Sequence, residues 1–151
     1  MRTQTQISVL ILNNKNLTIQ IVRKLKLVVF TWHGFTPSDV YRQETIQSLE
    51  ILRDNPSINR ILLNKKDHSV VMHEDITASV ESTVDYLAIA QGNYRMAVVP
   101  PTDLQAKTSV DFYVDSLNQA LKKRFVVKQY RNSKEALSWL TKAKFWLLFL
   151  K

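Results

Sequence analysis

A change in hydrophobic period after the third apolar segment is the feature that most limits how this chain can fold. The segments at 7–12, 17–22 and 27–32 are rich in β-branched residues, and the first two alternate, which predicts three strands joined as an antiparallel meander. Beyond residue 36, short continuous apolar runs alternate with segments whose apolar residues recur at helical spacing. Such runs between helices are typical of parallel strands buried on both faces, so the predicted order is βββαβαβαβα.

Local signals predict where the four helices begin. Thr36 as an N-cap, followed by Pro37 at the first helical position, predicts the start of the first helix. The strand after that helix is predicted as the short run Ile61 to Leu63, with residues 67–71 as a loop. The other helix starts are predicted at acidic or capping residues, namely Glu74–Asp75, Thr102–Asp103 and Asn132.

Composition excludes several classes of site. The chain has no cysteine, so disulfides, thiolate nucleophiles and cysteine-ligated metals are excluded, and a reducing compartment, the cytoplasm, is predicted. The only glycines are Gly34 and Gly92, which are too few for the phosphate-binding loops of nucleotide sites. The first apolar run lacks a cleavage site, and no run approaches the roughly 20 residues of a membrane span, so neither a signal peptide nor a span is predicted.

Four segments resemble one known family. They include a strand ending in tryptophan and glycine and a strand ending in proline, and their ranges are Phe30 to Gly34, Ile58 to Asn64, Tyr94 to Pro100 and Tyr130 to Leu140. They are similar to the STAS/SEC14-type (SpoIIAA-like) family, in particular to its short single-domain bacterial members. The resemblance implies an α/β fold with a SpoIIAA-like (STAS-like) mixed β-sheet of about five to six strands and four helices. One domain is predicted over residues 1–141, followed by a basic and apolar tail at 142–151.

The resemblance implies a non-enzymatic regulatory or protein-interaction module whose partner is another protein or a second copy of itself, as a homodimer. The anti-sigma-factor antagonists of the family carry a phosphorylatable serine in an Asp-Ser-Ser-Gly-like loop before the second helix. The corresponding residues 67–71 of this chain include Ser69 but contain neither that motif nor a glycine. This departure argues against a kinase-driven switch at Ser69.

A second interpretation is a protein that binds a lipid or another apolar small ligand, because SEC14-like relatives of this architecture enclose hydrophobic molecules. His33, at the end of a predicted strand, is a candidate for lining a crevice there. The two interpretations differ in volume, since a ligand-binding protein leaves an apolar cleft unfilled and an interaction module is packed to ordinary interior density. The aromatic residues predicted to line such a cleft are Trp32, Tyr86, Phe112 and Tyr113.

No catalytic or metal site is predicted. His68 and His73, with Glu74 and Asp75, have metal-ligand chemistry, but a histidine spacing of five does not match a helical ligand pair. Acidic residues at this position are explained by the dipole of the helix that they begin. The sequence also lacks the Gly-x-Ser-x-Gly elbow of serine hydrolases, so no catalytic residue, cofactor or metal is assigned.

Positive charge is concentrated at both ends of the chain. Residues 121–151 carry nine basic side chains and one acidic residue, Glu135, whereas residues 37–120 are net acidic. We interpret the basic segment as a solvated surface, with binding of lipid headgroups or nucleic-acid phosphates as the alternative. Nucleic acid is the less favoured partner because no motif that reads RNA or DNA accompanies the charge.

The tail contains a run of apolar residues that must be covered. We predict that the run packs against the same molecule or against a second copy. The alternative is shallow insertion into a lipid or anionic membrane surface, because lysines flank the run. The residues of this candidate interaction tail are Phe145, Trp146, Leu147, Leu148, Phe149 and Leu150.

Overall fold

The computed structural model describes residues 8–90, 92–121 and 124–141. Within these ranges the chain forms six strands and four α-helices, as the sequence predicts. The strands are β1 (Ser8–Asn13), β2 (Leu17–Val22), β3 (Leu27–Gly34), β4 (Arg60–His68), β5 (Tyr94–Val99) and β6 (Phe125–Gln129). The helices are α1 (Ser38–Asp54), α2 (His73–Ile89), α3 (Leu104–Ala120) and α4 (Ser133–Thr141), and a short 3-10 helix, Arg23–Leu25, joins β2 to β3.

All six strands belong to one mixed sheet with the order β1-β2-β3-β4-β5-β6. The pairs β1–β2 and β2–β3 are antiparallel, and β3 to β6 are parallel to one another. Each parallel pair is joined by a helix, since a parallel connection needs a crossover of that length. The predicted antiparallel meander followed by parallel strands is therefore confirmed.

The two faces of the sheet are covered unequally. On one, the helical face, α1, α2 and α3 pack over inward strand residues such as Phe30 and Leu63, which join one core with Val110 of α3. The other face, which we call the α4 face, is covered by α4, and no other α-helix of the described ranges packs there. Leu140 of α4 belongs to a smaller core with Leu62. The larger core therefore lies on the helical face, where three helices cover the sheet.

Two local predictions are wrong. Thr36 does not cap α1, which begins at Ser38, because the Oγ1 atom of Thr36 lies 3.1 Å from Nε2 of His68 and is engaged there. β4 does not stop at Leu63 but continues to His68, because it stays paired with the end of β3. Residues 67–71 are therefore partly strand, and the side chains of the second half of β4 point into the fold as well as out of it.

None of the helices in the described parts of the chain is long and apolar enough to cross a bilayer. The candidate interaction tail, Phe145 to Leu150, lies outside the described residues. The same holds for the whole predicted tail at 142–151, so its packing on this molecule, a second copy or a membrane stays a prediction.

Candidate functional site

An apolar cavity lies between the helical face of the sheet and the helices α1, α2 and α3. Its cavity volume is about 60 Å³, within about 620 Å³ of empty space that includes the part open to solvent. The space is therefore narrow, and it suits a slender group better than a bulky one. Aromatic side chains from six elements line it, namely Phe30 and Trp32 of β3, Tyr41 of α1, Tyr86 of α2, Tyr94 of β5, Tyr113 of α3 and Phe125 of β6.

Small hydroxyl-bearing residues leave the seam between α1 and α2 unfilled. Thr45 and Ser48 line the cavity from α1, and Ser79 and Thr83 line it from α2. The hydroxyls of Thr45, Ser48 and Thr83 each donate to the carbonyl oxygen four residues earlier in their own helix, at 2.8 to 2.9 Å. These side chains are short, so they leave space between the two helices. Their hydroxyl groups already donate hydrogen bonds, so none of the three needs a partner in the cavity.

Lys65 places a positive charge inside this apolar space. It follows Ile61 and Leu63 on the inward side of β4, and only 3% of it is exposed. Its Nζ atom lies 5.7 Å from the ring centre of Trp32 and 5.3 Å from the ring centres of Tyr41 and Tyr113. Its hydrogen bond is a long one, 3.5 Å to the hydroxyl of Tyr41. Among the described residues, Lys65 takes part in none of the ion pairs.

The surroundings of Lys65 compensate its charge only in part. An aromatic ring facing an ammonium contributes roughly 0.5 to 2 kcal/mol, depending on how well the pair is desolvated. Taking an ammonium out of water costs several kcal/mol even after the protein relaxes. Buried charges in proteins are normally paired with a charge of opposite sign. The site around Lys65 therefore has the electrostatics of an anion site with apolar walls.

His68 supports the same wall from the end of β4. Its ring stacks on Trp32 at a centroid distance of 5.0 Å and on Tyr41 at 6.1 Å, and Thr36 hydrogen-bonds its Nε2 atom. Burial lowers the pKa of His68 from 6.5 to about 3, with further lowering from the charges of Lys65 and His33. The imidazole is therefore neutral at neutral pH, and it holds the two rings without adding charge beside Lys65.

A salt bridge joins α1 to α2 at one end of the seam. Asp75, in the first turn of α2, accepts from Nε of Arg42 at 2.7 Å and from the hydroxyl of Ser38 at 2.6 Å. The Asp75 side chain is 4% exposed and that of Arg42 is 50% exposed. A groove lined by both residues adjoins the cavity at Thr45 and Ser79. Asp75 therefore ties the two helices together where the cavity nears the surface, beyond the helix-dipole role that its position predicts.

We expect Asp75→Asn to lower the free energy of unfolding by about 1.5 kcal/mol, because the substitution removes the negative charge from both hydrogen bonds of a buried carboxylate and keeps the shape of the side chain. Urea denaturation of the purified protein measures the change. The matched control is Asp39→Asn, since Asp39 is an exposed acid in the first turn of α1. A loss in the control as large as that in Asp75→Asn would mean that the buried bonds are not the cause.

Three of the five predicted cleft residues lie at the cavity, namely Trp32, Tyr86 and Tyr113. Phe112 lies away from the cavity, because its ring stacks on that of His73 at 4.1 Å. One residue along a helix turns the side chain by about 100°, which separates it from Tyr113. His33 also lies away from the cavity, because successive side chains alternate along β3. Its Nε2 atom lies 3.4 Å from the hydroxyl of Thr18.

Sequence reasoning missed Lys65 and used Tyr41 only as an apolar helix position. The signal for Lys65 was present, because Ile61, Leu63 and Lys65 repeat at the two-residue period of a strand. The neighbouring polar residues Asn64 and Lys66 ended the predicted strand too early. No local signal places Tyr41 beside Lys65, since the two meet only when α1 folds back on β4.

Three of the four residues with metal-ligand chemistry contact different partners. His68 is buried on Trp32, His73 stacks on Phe112, and Asp75 pairs with Arg42. Within the described ranges, no group of three histidine or acidic residues is placed to hold one metal ion.

Comparison with known proteins supports the fold. The sequence matches no family model and no curated protein. The structure is similar to the crystal structure of an uncharacterized protein from the DUF3478 family with a SpoIIAA-like fold, from Shewanella loihica PV-4. The TM-score is 0.55 at 14% sequence identity, and the match covers 86% of this chain and 98% of the other. The chain thus has a SpoIIAA-like fold, which confirms the predicted resemblance at the level of architecture.

Proposed function

We propose that this protein binds a small amphipathic anion in the cavity on the helical face. The observation that carries the proposal is Lys65, a buried ammonium among aromatic rings that has no carboxylate partner in the described residues. A ligand carboxylate, or another group with a single negative charge, would supply the missing partner. Its apolar part would lie against Trp32, Tyr86 and Tyr113.

The shape and charge of the cavity narrow the ligand class. Of the described residues, Lys65 is the one basic side chain that lines this mostly apolar cavity. Its single positive charge balances a ligand with one negative charge but not a polyphosphate. The cavity volume of about 60 Å³ is smaller than the roughly 150 Å³ that holds a benzene-sized group, so the alkyl chain of a ligand would lie partly in the part of the cavity that is open to solvent, and a lipid with two chains fits less well. Protein pockets for small ligands share this pattern of apolar walls with few polar groups that fix orientation.

The groups near Lys65 favour binding over catalysis. Burial raises the pKa of Tyr113 well above its ordinary value, and that of Tyr86 to about 12. The pKa of His68 is lowered to about 3, so these three groups do not change protonation near neutral pH. General acid or base catalysis needs a group whose pKa lies close to the working pH. We therefore propose a non-enzymatic binding protein.

The interaction-module interpretation concerns other residues and stays a prediction. Its self-association is assigned to the tail at Phe145 to Leu150, outside the described residues. A protein partner or homodimer, and a cytoplasmic location, are compatible with a ligand in the cavity and stay predictions as well.

The proposal is tested by comparing octanoate with 1-octanol as ligands of the purified full chain in isothermal titration calorimetry. We expect octanoate to bind at least about tenfold more tightly, because a charge-assisted hydrogen bond to a buried ammonium contributes roughly 1.5 to 3 kcal/mol. In Lys65→Met this preference should disappear. The matched control is Lys66→Met, which removes an exposed lysine next to Lys65 in the chain and should keep the preference.

Equal affinity of octanoate for the native protein and for Lys65→Met would contradict the proposal. So would the absence of binding of every alkyl carboxylate from six to about twelve carbons, because the cavity length and Lys65 would then not form one site.

A further inference from the structure

The acidic residues lie on one side of the molecule. Of the 13 acidic residues of the chain, all but Asp67 and Glu135 lie on α1, α2 or α3 or at the N-cap of α3. These three helices together cover the helical face of the sheet. In the sequence the acidic residues occupy the central part of the chain. In the fold the three helices that carry them form one layer, which we call the acidic layer.

The α4 face has the opposite charge. Lys128 on β6 and Lys134 on α4 are exposed, and Arg95 on β5 is half-buried. The side chains of Arg95 and Lys128 lie over the ring of Trp139 of α4, at 5.6 and 5.3 Å from its centre. Glu135, the acidic residue of α4, is already paired with Arg131 at 2.6 Å. The charges of Arg95, Lys128 and Lys134 are therefore not neutralised by an ion pair within the described residues.

The 3-10 helix between β2 and β3 extends this basic surface. Lys24 and Lys26 are exposed there, while Leu25 is buried in the same small core as Leu140 of α4, and the guanidinium of Arg23 instead donates to Oδ1 of Asn55 at the end of α1, at 3.3 Å. The loop thus borders α4 and adds positive charge along its side. Such a concentration of one charge sign attracts a partner of the opposite sign and raises its rate of association.

We infer that the α4 face docks on an anionic membrane surface. Recognition of a charged bilayer needs clustered lysines and arginines and no specific contact geometry. Nucleic acid is the poorer fit because single strands are held by aromatic rings free to stack on bases. Trp139 and Tyr130 are half-buried and pack on each other at 5.6 Å, and Trp139 is covered by two cations.

The sequence that follows α4 is consistent with this partner. The chain continues from Thr141 into residues 142–151, which contain three lysines around an aromatic and leucine-rich run. Basic residues next to such a run are typical of segments that bind at the membrane interface. The inference itself stands on the charges of the α4 face and does not depend on Lys65 or on a ligand in the cavity.

Co-sedimentation of the full chain with phosphatidylcholine vesicles, with and without phosphatidylserine, tests the inference. We expect binding to the anionic vesicles that weakens as salt is added. The double variant Lys128→Gln/Lys134→Gln should bind them about 25-fold more weakly, because each basic residue near an anionic surface contributes about a factor of five. The matched control, Arg53→Gln/Lys107→Gln, removes the same charge from the acidic layer and should bind like the native protein.

Three results would overturn the inference. They are equal sedimentation with neutral and anionic vesicles, an equal loss in the two double variants, and tighter binding of a single-stranded oligonucleotide than of anionic vesicles at the same salt. The last result would assign the face to nucleic acid. Lys65→Met should sediment with anionic vesicles like the native protein, so failure of the cavity proposal and failure of this one are distinguishable.

Discussion

Lys65→Met is expected to raise the free energy of unfolding by about 2 kcal/mol, although it removes the residue on which ligand binding depends. The ammonium of Lys65 is 3% exposed and lacks a carboxylate partner in the described residues, so the empty protein carries most of its desolvation cost. Methionine fills similar space, contacts the rings of Trp32 and Tyr41 favourably and has no charge to desolvate. A gain in stability with a loss of binding is the usual mark of a residue kept for function.

Urea denaturation of the ligand-free protein measures this change. Lys66→Met is the control, because Lys66 is exposed and its replacement should shift the free energy of unfolding by no more than about 0.5 kcal/mol. If Lys65→Met is instead destabilised by more than 1 kcal/mol or so, the three aromatic rings already satisfy the ammonium, and its role is structural. That outcome would also weaken the case for an anionic ligand.

Acidification is expected to destabilise the protein through His68. The pKa of His68 is about 3 in the folded protein and 6.5 in its ordinary environment, so the unfolded chain takes up the proton first. The contribution of neutral His68 to stability is therefore fully present above pH 6.5 and is lost as the pH falls towards 3. Between about pH 7.5 and about pH 4.5 the loss amounts to about 2.5 kcal/mol, at 1.36 kcal/mol per pH unit below the unfolded pKa.

Carboxylates also begin to titrate at the acidic end of this range, so the measurement is a difference between variants. The free energy of unfolding is measured at both pH values for the native protein and for His68→Phe, which keeps an aromatic ring between Trp32 and Tyr41. The native protein should lose about 2.5 kcal/mol more than His68→Phe does. His73→Phe, at an exposed position, should retain the native dependence. Parallel curves for the native protein and His68→Phe would show that His68 is not buried in its neutral form.

The two predictions are coupled through one electrostatic contact. The charge of Lys65 is among the causes that lower the pKa of His68, after burial. Removing that charge in Lys65→Met should raise the pKa of His68, so the loss of stability on acidification should stop at a higher pH than in the native protein. A loss that stops at the same pH in both proteins would show that the two side chains do not share one apolar wall.

The sequence by itself determined the architecture. The two-residue period of β2, the continuous apolar runs of β5 and β6 and the caps at Asp103 and Asn132 are local signals, and all reappear in the structure. The strand β1 also forms, but its Val9 and Ile11 are exposed. These strands and helix ends can be predicted from the sequence because residues adjacent in the chain specify them. Trp32, Tyr86 and Tyr113 were predicted as cleft residues from the resemblance to SEC14-like proteins, and all three lie at the cavity.

Only the tertiary structure decided what lies between the elements. The cavity exists because short side chains of α1 and α2 face each other between the two helices. Lys65 is an ordinary strand lysine in the sequence, and only the packing of the Tyr41 and Tyr113 rings beside it makes it a buried charge. Asp75 is an ordinary helix-start acid until Arg42, 33 positions away, reaches it. Unfilled volume, burial and the separation of acidic from basic faces are properties of packing among distant segments. No single segment of the sequence encodes them, so they appear only when all the layers are assembled.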